Sequence, residues 1–264
     1  MATNYHHGVT VTETTDLSTM ITDIDSAVIG VVCTADDADE TAFPLDTPVL
    51  ITRVANMLGK AGKTGTLFTT LKAISDQTSP QTIVIRVADA ANIEPPEGGT
   101  AQTQDQLVIG GTDANGRFTG MYALLSAEMR VGVRPRVLAV PGLDTEAVAA
   151  QLGVIAEKLR AFAYVAANGC NTIAEVKEYR EQFSQREMMV IWPNFICYDT
   201  NAVANATVPV GAHAVGMRAK IDATQGWHKT ISNVPVNNVL GMDRDIYFTL
   251  QGTDTDADEL NAAG

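Results

Sequence analysis

Residues 26–33, Ser-Ala-Val-Ile-Gly-Val-Val-Cys, are apolar at almost every position and rich in β-branched side chains. A half-exposed strand would alternate, so this unbroken run predicts a short strand buried on both faces. Pro48-Val-Leu-Ile-Thr52 predicts a second strand after the acidic loop 36–46, and Thr82-Ile-Val-Ile-Arg-Val87 a third, entered from Pro80. Between them the period changes. Residues 53–58 and 66–75 carry apolar side chains at helical spacing, with Leu67, Leu71 and Ile74 on one face. Residues 88–106 are rich in Pro, Gly, Gln and Thr, which predicts an exposed loop or insertion and the best candidate for an internal boundary.

The clearest order follows that loop. Residues 135–140 predict a strand, Asp144 is placed to cap a helix running to about Arg160, residues 161–165 predict a strand, 172–183 a helix and 187–192 a strand. Strands that alternate with helices of this length pair in parallel through right-handed crossovers. The expected fold class is therefore α/β, a mostly parallel sheet flanked by helices and built around this β-α-β-α-β unit. Beyond it, residues 208–222 predict a helix entered from Pro209, 226–241 are rich in Gly and Asn, and 245–250 predict a last strand before the acidic stretch 253–259.

The N-terminal residues differ in kind. Val9, Val11 and Glu13 alternate as in a strand, but residues 1–25 are otherwise dominated by Thr, Ser and Asp, with too little apolar surface to hold themselves down. An extended arm that needs a partner strand is expected. The domain organisation expected is thus an arm at 1–25, a first α/β part at 26–105, the β-α-β-α-β part at 106–250, and the start of a further region at 251–264.

Charge narrows the partners. Lys+Arg 18 against Asp+Glu 31 gives a net charge of -13, which repels phosphate backbones, and no basic patch is visible along the sequence, so no nucleic-acid partner is expected. The longest apolar stretch, 27–33, is far short of the roughly 20 residues of a membrane span. No membrane partner is expected. The N-terminus lacks the basic start and apolar run of a secretory signal, and Cys33, Cys170 and Cys197 are odd in number and scattered, as ordinary thiols in a reducing compartment would be.

Candidate chemistry fails on spacing. Gly59-Lys-Ala-Gly-Lys-Thr64 is similar to a phosphate-binding loop, but Met57 stands where the first glycine belongs and the preceding segment is helical; a polar turn with Thr64 or Thr66 capping the next helix is the expectation. Pro141-Gly-Leu-Asp144 supplies one glycine where a dinucleotide turn needs three, and 110–120 lacks the same spacing and predicts a tight turn leading into a helix. Asp254, Asp256 and Asp258 alternate like calcium ligands, yet Glu259 occupies the obligatory glycine position, so a solvated acidic loop is expected. His6 and His7 are adjacent, His213 and His228 stand alone, and no metal, cofactor or catalytic residue is assigned. Trp192 and Trp227 are expected to pack in the body. Because doubly wound layers host enzymes and structural proteins alike, a nucleotide- or cofactor-binding α/β enzyme stays as the alternative; its polar groups would converge at 141–144 and 168–171.

Several segments, taken in order, resemble the short contractile-tail sheath proteins of P2-like phages. They are Tyr5-His-His-Gly-Val-Thr-Val-Thr-Glu13 with Ser26-Ala-Val-Ile-Gly30, Phe43-Pro-Leu-Asp-Thr-Pro-Val-Leu50, Gly62-Lys-Thr-Gly-Thr-Leu67, Ile109-Gly-Gly111 and Gly116-Arg-Phe-Thr-Gly-Met-Tyr-Ala-Leu-Leu125. Pro135-Arg-Val-Leu-Ala-Val-Pro-Gly-Leu-Asp144, Glu157-Lys-Leu-Arg-Ala-Phe-Ala163, residues 187–193 and Gln225-Gly-Trp-His-Lys-Thr-Ile-Ser-Asn233 continue the likeness. The resemblance implies a structural virion subunit and no enzyme, assembled in the host cytoplasm into a helical homo-polymer. Its further implied partners are the tail tube protein, the baseplate and the tail terminator. Tyr5, His6, His7, Gly8, Val9, Val11 and Glu13 would form the inter-subunit arm, and contraction would rotate arm-linked subunits to drive the tube through the host envelope during genome ejection. Sheath proteins of this type continue into a tube-facing C-terminal region, so a chain ending at Gly264 is expected to be truncated and unable to contract a tail alone.

Overall fold

The computed structural model describes residues 26–94, 101–249 and 255–263. In chain order the elements are β1 (Ile29–Thr34), β2 (Val49–Ile51), α1 (Val54–Met57), α2 (Leu67–Gln77), β3 (Thr82–Val87), α3 (Gln104–Ile109), α4 (Ala127–Val131), β4 (Val137–Ala139), α5 (Glu146–Leu159), β5 (Phe162–Ala166), α6 (Ile173–Glu181), β6 (Met188–Ile191), β7 (Phe195–Asp199), β8 (Ala204–Val208), α7 (Val210–Thr224), β9 (Gly241–Met242) and α8 (Asp256–Ala262). Short 3-10 turns at Leu58–Lys60, Ala90–Asn92 and Gly120–Ser126 link them.

Six strands form one sheet in the order β2-β3-β1-β4-β5-β6. All pairs are parallel except the edge pair β2–β3, which gives the expected α/β class. The two predicted body parts, 26–105 and 106–250, share this sheet, because β1 pairs with β3 on one side and β4 on the other.

Alternation along each strand sorts the core into two layers. Val28, Val32, Ile83, Ile85, Leu138, Val140, Ala163 and Val165 face one cluster, which α5 fills with Val148, Leu152 and Ile155 and α6 with Val176 and Tyr179. Ile29, Val31, Cys33, Val84, Val137, Ala139 and Tyr164 face the other, which α2 fills with Leu67, Leu71 and Ile74 and α7 with Ala214, Val215 and Ala219. Gly30 sits at the tightest approach: a Cβ there would lie 2.8 Å from Pro135 Cβ and 2.9 Å from Leu138 Cδ2.

The structure corrects several local expectations. Thr145, not Asp144, caps α5, its Oγ1 accepting from Val148 N; the Asp144 carboxylate turns inward and accepts from Ala166 N. Thr66 precedes α2 but makes no side-chain cap, because its Oγ1 accepts from Thr34 N across the sheet end. The polar tract before Gln106 ends early, at a capping box between Thr103 and Gln106 that starts α3. Residues 256–262 form α8, not an acidic loop: Thr255 caps it, and Asp256, Asp258 and Glu259 in its first turn complement the helix dipole. Residues 245–249 are not a strand, and residue 250 lies outside the described residues.

A second, antiparallel sheet, β8-β7-β9, was not predicted. Val208 closes β8 opposite Phe195, so α7 begins at Val210, two residues later than its pattern implies.

Candidate functional site

The parallel strands all point the same way, so an α/β enzyme would place its pocket at their carboxyl ends. At the first expected turn, Asp144 is 1% exposed. Its Oδ2 accepts from Ala166 N at 2.6 Å while Oδ1 has no partner, and burial pushes the carboxyl up to about 6. A group closed off from solvent braces β5 against the start of α5 and has no access to a substrate. At the second turn, the Asn171 amide N–H and Oδ1 are held by Glu175 and Arg244.

The phosphate-loop candidate is occupied by the chain itself. Asp37 accepts from the backbone N–H groups of Lys63 and Thr64 and from the Thr64 hydroxyl, so a carboxylate sits where a phosphate would need those amides. The Thr64 hydroxyl first, then the Lys63 and Thr64 amides, hold Asp37 down at about 2. Neighbouring Asp36 and Asp89 are engaged likewise, Asp36 by Asn92 and by Asp89 N, and Asp89 by Ala91 N.

One pair escaped the sequence. His213 on α7 and Cys197 on β7 meet, Sγ to Nε2 at 3.6 Å, at the wall of a cavity of about 270 Å³. Burial pushes His213 down to about 4 and raises the Cys197 thiol, so the pair rests as neutral imidazole and neutral thiol, the opposite of an activated nucleophile. They lie sixteen residues apart on two different elements, and no local spacing announces the contact. All three cysteines are free, as expected of ordinary thiols. Among the described residues no group of His, Cys, Asp and Glu is arranged to hold a metal ion, and no helix is long and apolar enough to cross a membrane.

What the surface does present, among the described residues, is open sheet edge and apolar side chain. Strands β2 and β6 end the large sheet, β8 and β9 the small one. Beside β6 runs a groove of about 510 Å³ lined by Met189, Trp192, Met242, Ile246, Phe248 and Leu260. Tyr198, Val203, Leu240, Tyr247 and Phe248 are each more than half exposed. Trp192 packs as expected, its indole N–H donating to Cys170 O at 3.2 Å, but Trp227 is 76% exposed, against expectation, because the loop after α7 carries it away from the body. The arm residues Tyr5, His6, His7, Gly8, Val9, Val11 and Glu13 lie outside the described residues.

Comparison with known proteins gives this surface its context. Residues 26–87 match the model of the tail sheath protein Gp18 domain III N-terminal region. Over 99% of its length the chain is 60% identical to the major tail sheath protein of Serratia phage KSP20 and 52% identical to the tail sheath protein of Escherichia phage P2. It spans 65% of the length of each. In fold it is similar to the helical sheath of the anti-feeding prophage in its contracted state, at TM-score 0.60 and 16% identity over 93% of this chain and 61% of that one. The contracted sheath complex of an extracellular contractile injection system, PVC, aligns at TM-score 0.58 and 14% identity over 91% of this chain and 57% of that one. The family is one of structural sheath proteins, not of enzymes. With residues 116–264, more than half of its length, matching the model of the phage tail sheath protein central domain, this chain belongs to the phage tail sheath protein family.

Proposed function

We infer that this chain forms the body of a contractile tail sheath subunit, which polymerises helically around a tail tube and shortens by rigid-body rotation. The observation that carries this reading is the identity of 60% and 52% with two sheath proteins along 99% of the chain. The three-layer body supports it: a sheet covered on both faces moves as a unit, as rotation between two lattices requires.

Residues 1–25 act as the link. A segment with strand-like alternation at Val9, Val11 and Glu13 and little apolar surface gains main-chain hydrogen bonds by joining another subunit's sheet edge, and its polar flank lets the bodies turn. The pairing is assigned to Tyr5, His6, His7, Gly8, Val9, Val11 and Glu13. The tube, the baseplate and the tail terminator are the further partners, and assembly takes place in the host cytoplasm. No nucleotide is consumed, because the extended lattice stores the free energy released on contraction.

Electron microscopy of a full-length sheath protein with and without residues 1–25 tests this. The intact protein is expected to form tubes, and the shortened one to remain folded by circular dichroism but unassembled. Normal tubes from the shortened protein would refute the arm.

A further inference from the structure

The parallel sheet has a charge polarity that no stretch of sequence shows. Strands β1, β3, β4, β5 and β6 start at one end of the body and finish at the other. Just before the starts of β4, β5 and β6 lie Arg130, Arg134, Arg136, Lys158, Arg160, Arg180 and Arg186, seven of the chain's 18 basic residues. Glu128, Glu157, Glu181 and Glu187 oppose them without cancelling the excess, Glu128 pairing with Arg134 and Glu187 with Arg186. The cluster is real in space. Arg134 and Arg136 donate to the last carbonyls of α5, at Lys158, Leu159 and Arg160. Desolvation, then the charges of Arg134 and Arg160, lower the Arg136 pKa against the pull of Glu128.

At the opposite end, after β1 and β3, stand Asp36, Asp37, Asp39, Glu40, Asp89 and Glu94, with Lys60, Lys63 and the buried Arg86 as the only basic side chains among them in the described residues. Helix dipoles favour basic side chains near helix C-termini, which accounts for part of the basic end. They do not account for the acidic one. Neither α1 nor α2 has an acid in its first turn, and Asp36, Asp37, Asp39 and Glu40 sit in the loop after β1.

We propose that the basic end of one copy docks on the acidic end of the next, a head-to-tail contact between copies of this chain. The occupant follows from charge complementarity within a chain whose overall net charge is -13. Two different patches make the contact heterologous, and a heterologous contact that does not close generates an open helical array. This rests on the sheath reading and adds the surfaces through which bodies meet, independent of residues 1–25.

Sedimentation of the 264-residue chain tests it. Association is expected to weaken at least about tenfold between ~50 mM and ~500 mM salt, because exposed charges are screened within a few ångströms at high ionic strength. A variant with Arg130→Glu, Lys158→Glu and Arg186→Glu, and another with Asp39→Lys, Glu40→Lys and Glu94→Lys, should each stay monomeric, while their equimolar mixture should associate. A salt-insensitive or monomeric wild-type chain, or a mixture that stays apart, overturns the proposal, and the salt series decides alone should either variant fail to fold. Binding of a DNA duplex at the basic end in preference to a second copy overturns it too. Association lost on deleting residues 1–25 but indifferent to salt would sink this contact and leave the arm standing. The reverse pattern would sink the arm.

Discussion

The large sheet and the small one are built from similar side chains and end in opposite states. In β1, β3 and β4 every residue is buried, and the two faces are sealed by α5 and α6 on one side and α2 and α7 on the other. In β8 only Val208 is buried, and the small sheet rests on a cluster of four buried residues, Ala73, Cys197, Val208 and Ala212. Nearby Tyr198, Leu240 and Met242 remain exposed. A layer with a neighbour on each face stabilises itself; a layer with one neighbour leaves apolar area for something else to cover. The first carries the fold, and the second leaves apolar surface exposed.

Breaking the sealed layer should cost most. Leu138→Ala removes a side chain with no solvent exposure from the centre of β4, and a loss of about 2–5 kcal/mol is expected in urea unfolding. Next is the buried carboxylate. Because Asp144 is raised to about 6 against an unfolded value near ~3.9, its contribution is present below pH ~4 and lost as pH rises through about 6, worth up to about 3 kcal/mol. The stability of Asp144→Asn relative to wild type should therefore rise by that amount from pH ~4 to ~7; a pH-independent difference would show that the carboxylate finds a partner. Gly30→Ala should cost about 1–3 kcal/mol, since Pro135 and Leu138 must give way. The smallest effect belongs to the open region: Phe248→Ala, 62% exposed, should change stability by no more than about 0.5 kcal/mol. A loss as large as that of Leu138→Ala would erase the distinction between the two regions.

The same contrast explains what could be read in advance. Runs such as 28–33 and 82–87 are apolar on both faces because both are covered, and that pattern is visible without coordinates. Residues 195–208 alternate weakly, Cys and Tyr, Ala and Asn, because their sheet is half exposed, so no local pattern marks the hairpin of β7 and β8. Asp144 looked like a cap because Asp caps helices; only the position of the β5 backbone shows that the next residue does that work and that Asp144 faces Ala166 N. The phosphate-like loop was rejected on spacing, and its structural reason, the Asp37 carboxylate twenty-six residues from Lys63, is a long-range contact that no motif contains.

Alone, the sequence determined the α/β class, the buried strands of the large sheet, the helices between them and the resemblance to sheath proteins, because each depends on periodicity or on motifs a few residues long. Only the tertiary structure decided which faces remain open, that Cys197 and His213 meet as a neutral pair, and that scattered arginines gather at one end of the body with aspartates at the other. The reason is that parallel pairing brings residues far apart in sequence to the same end of a sheet, and that convergence is set by topology.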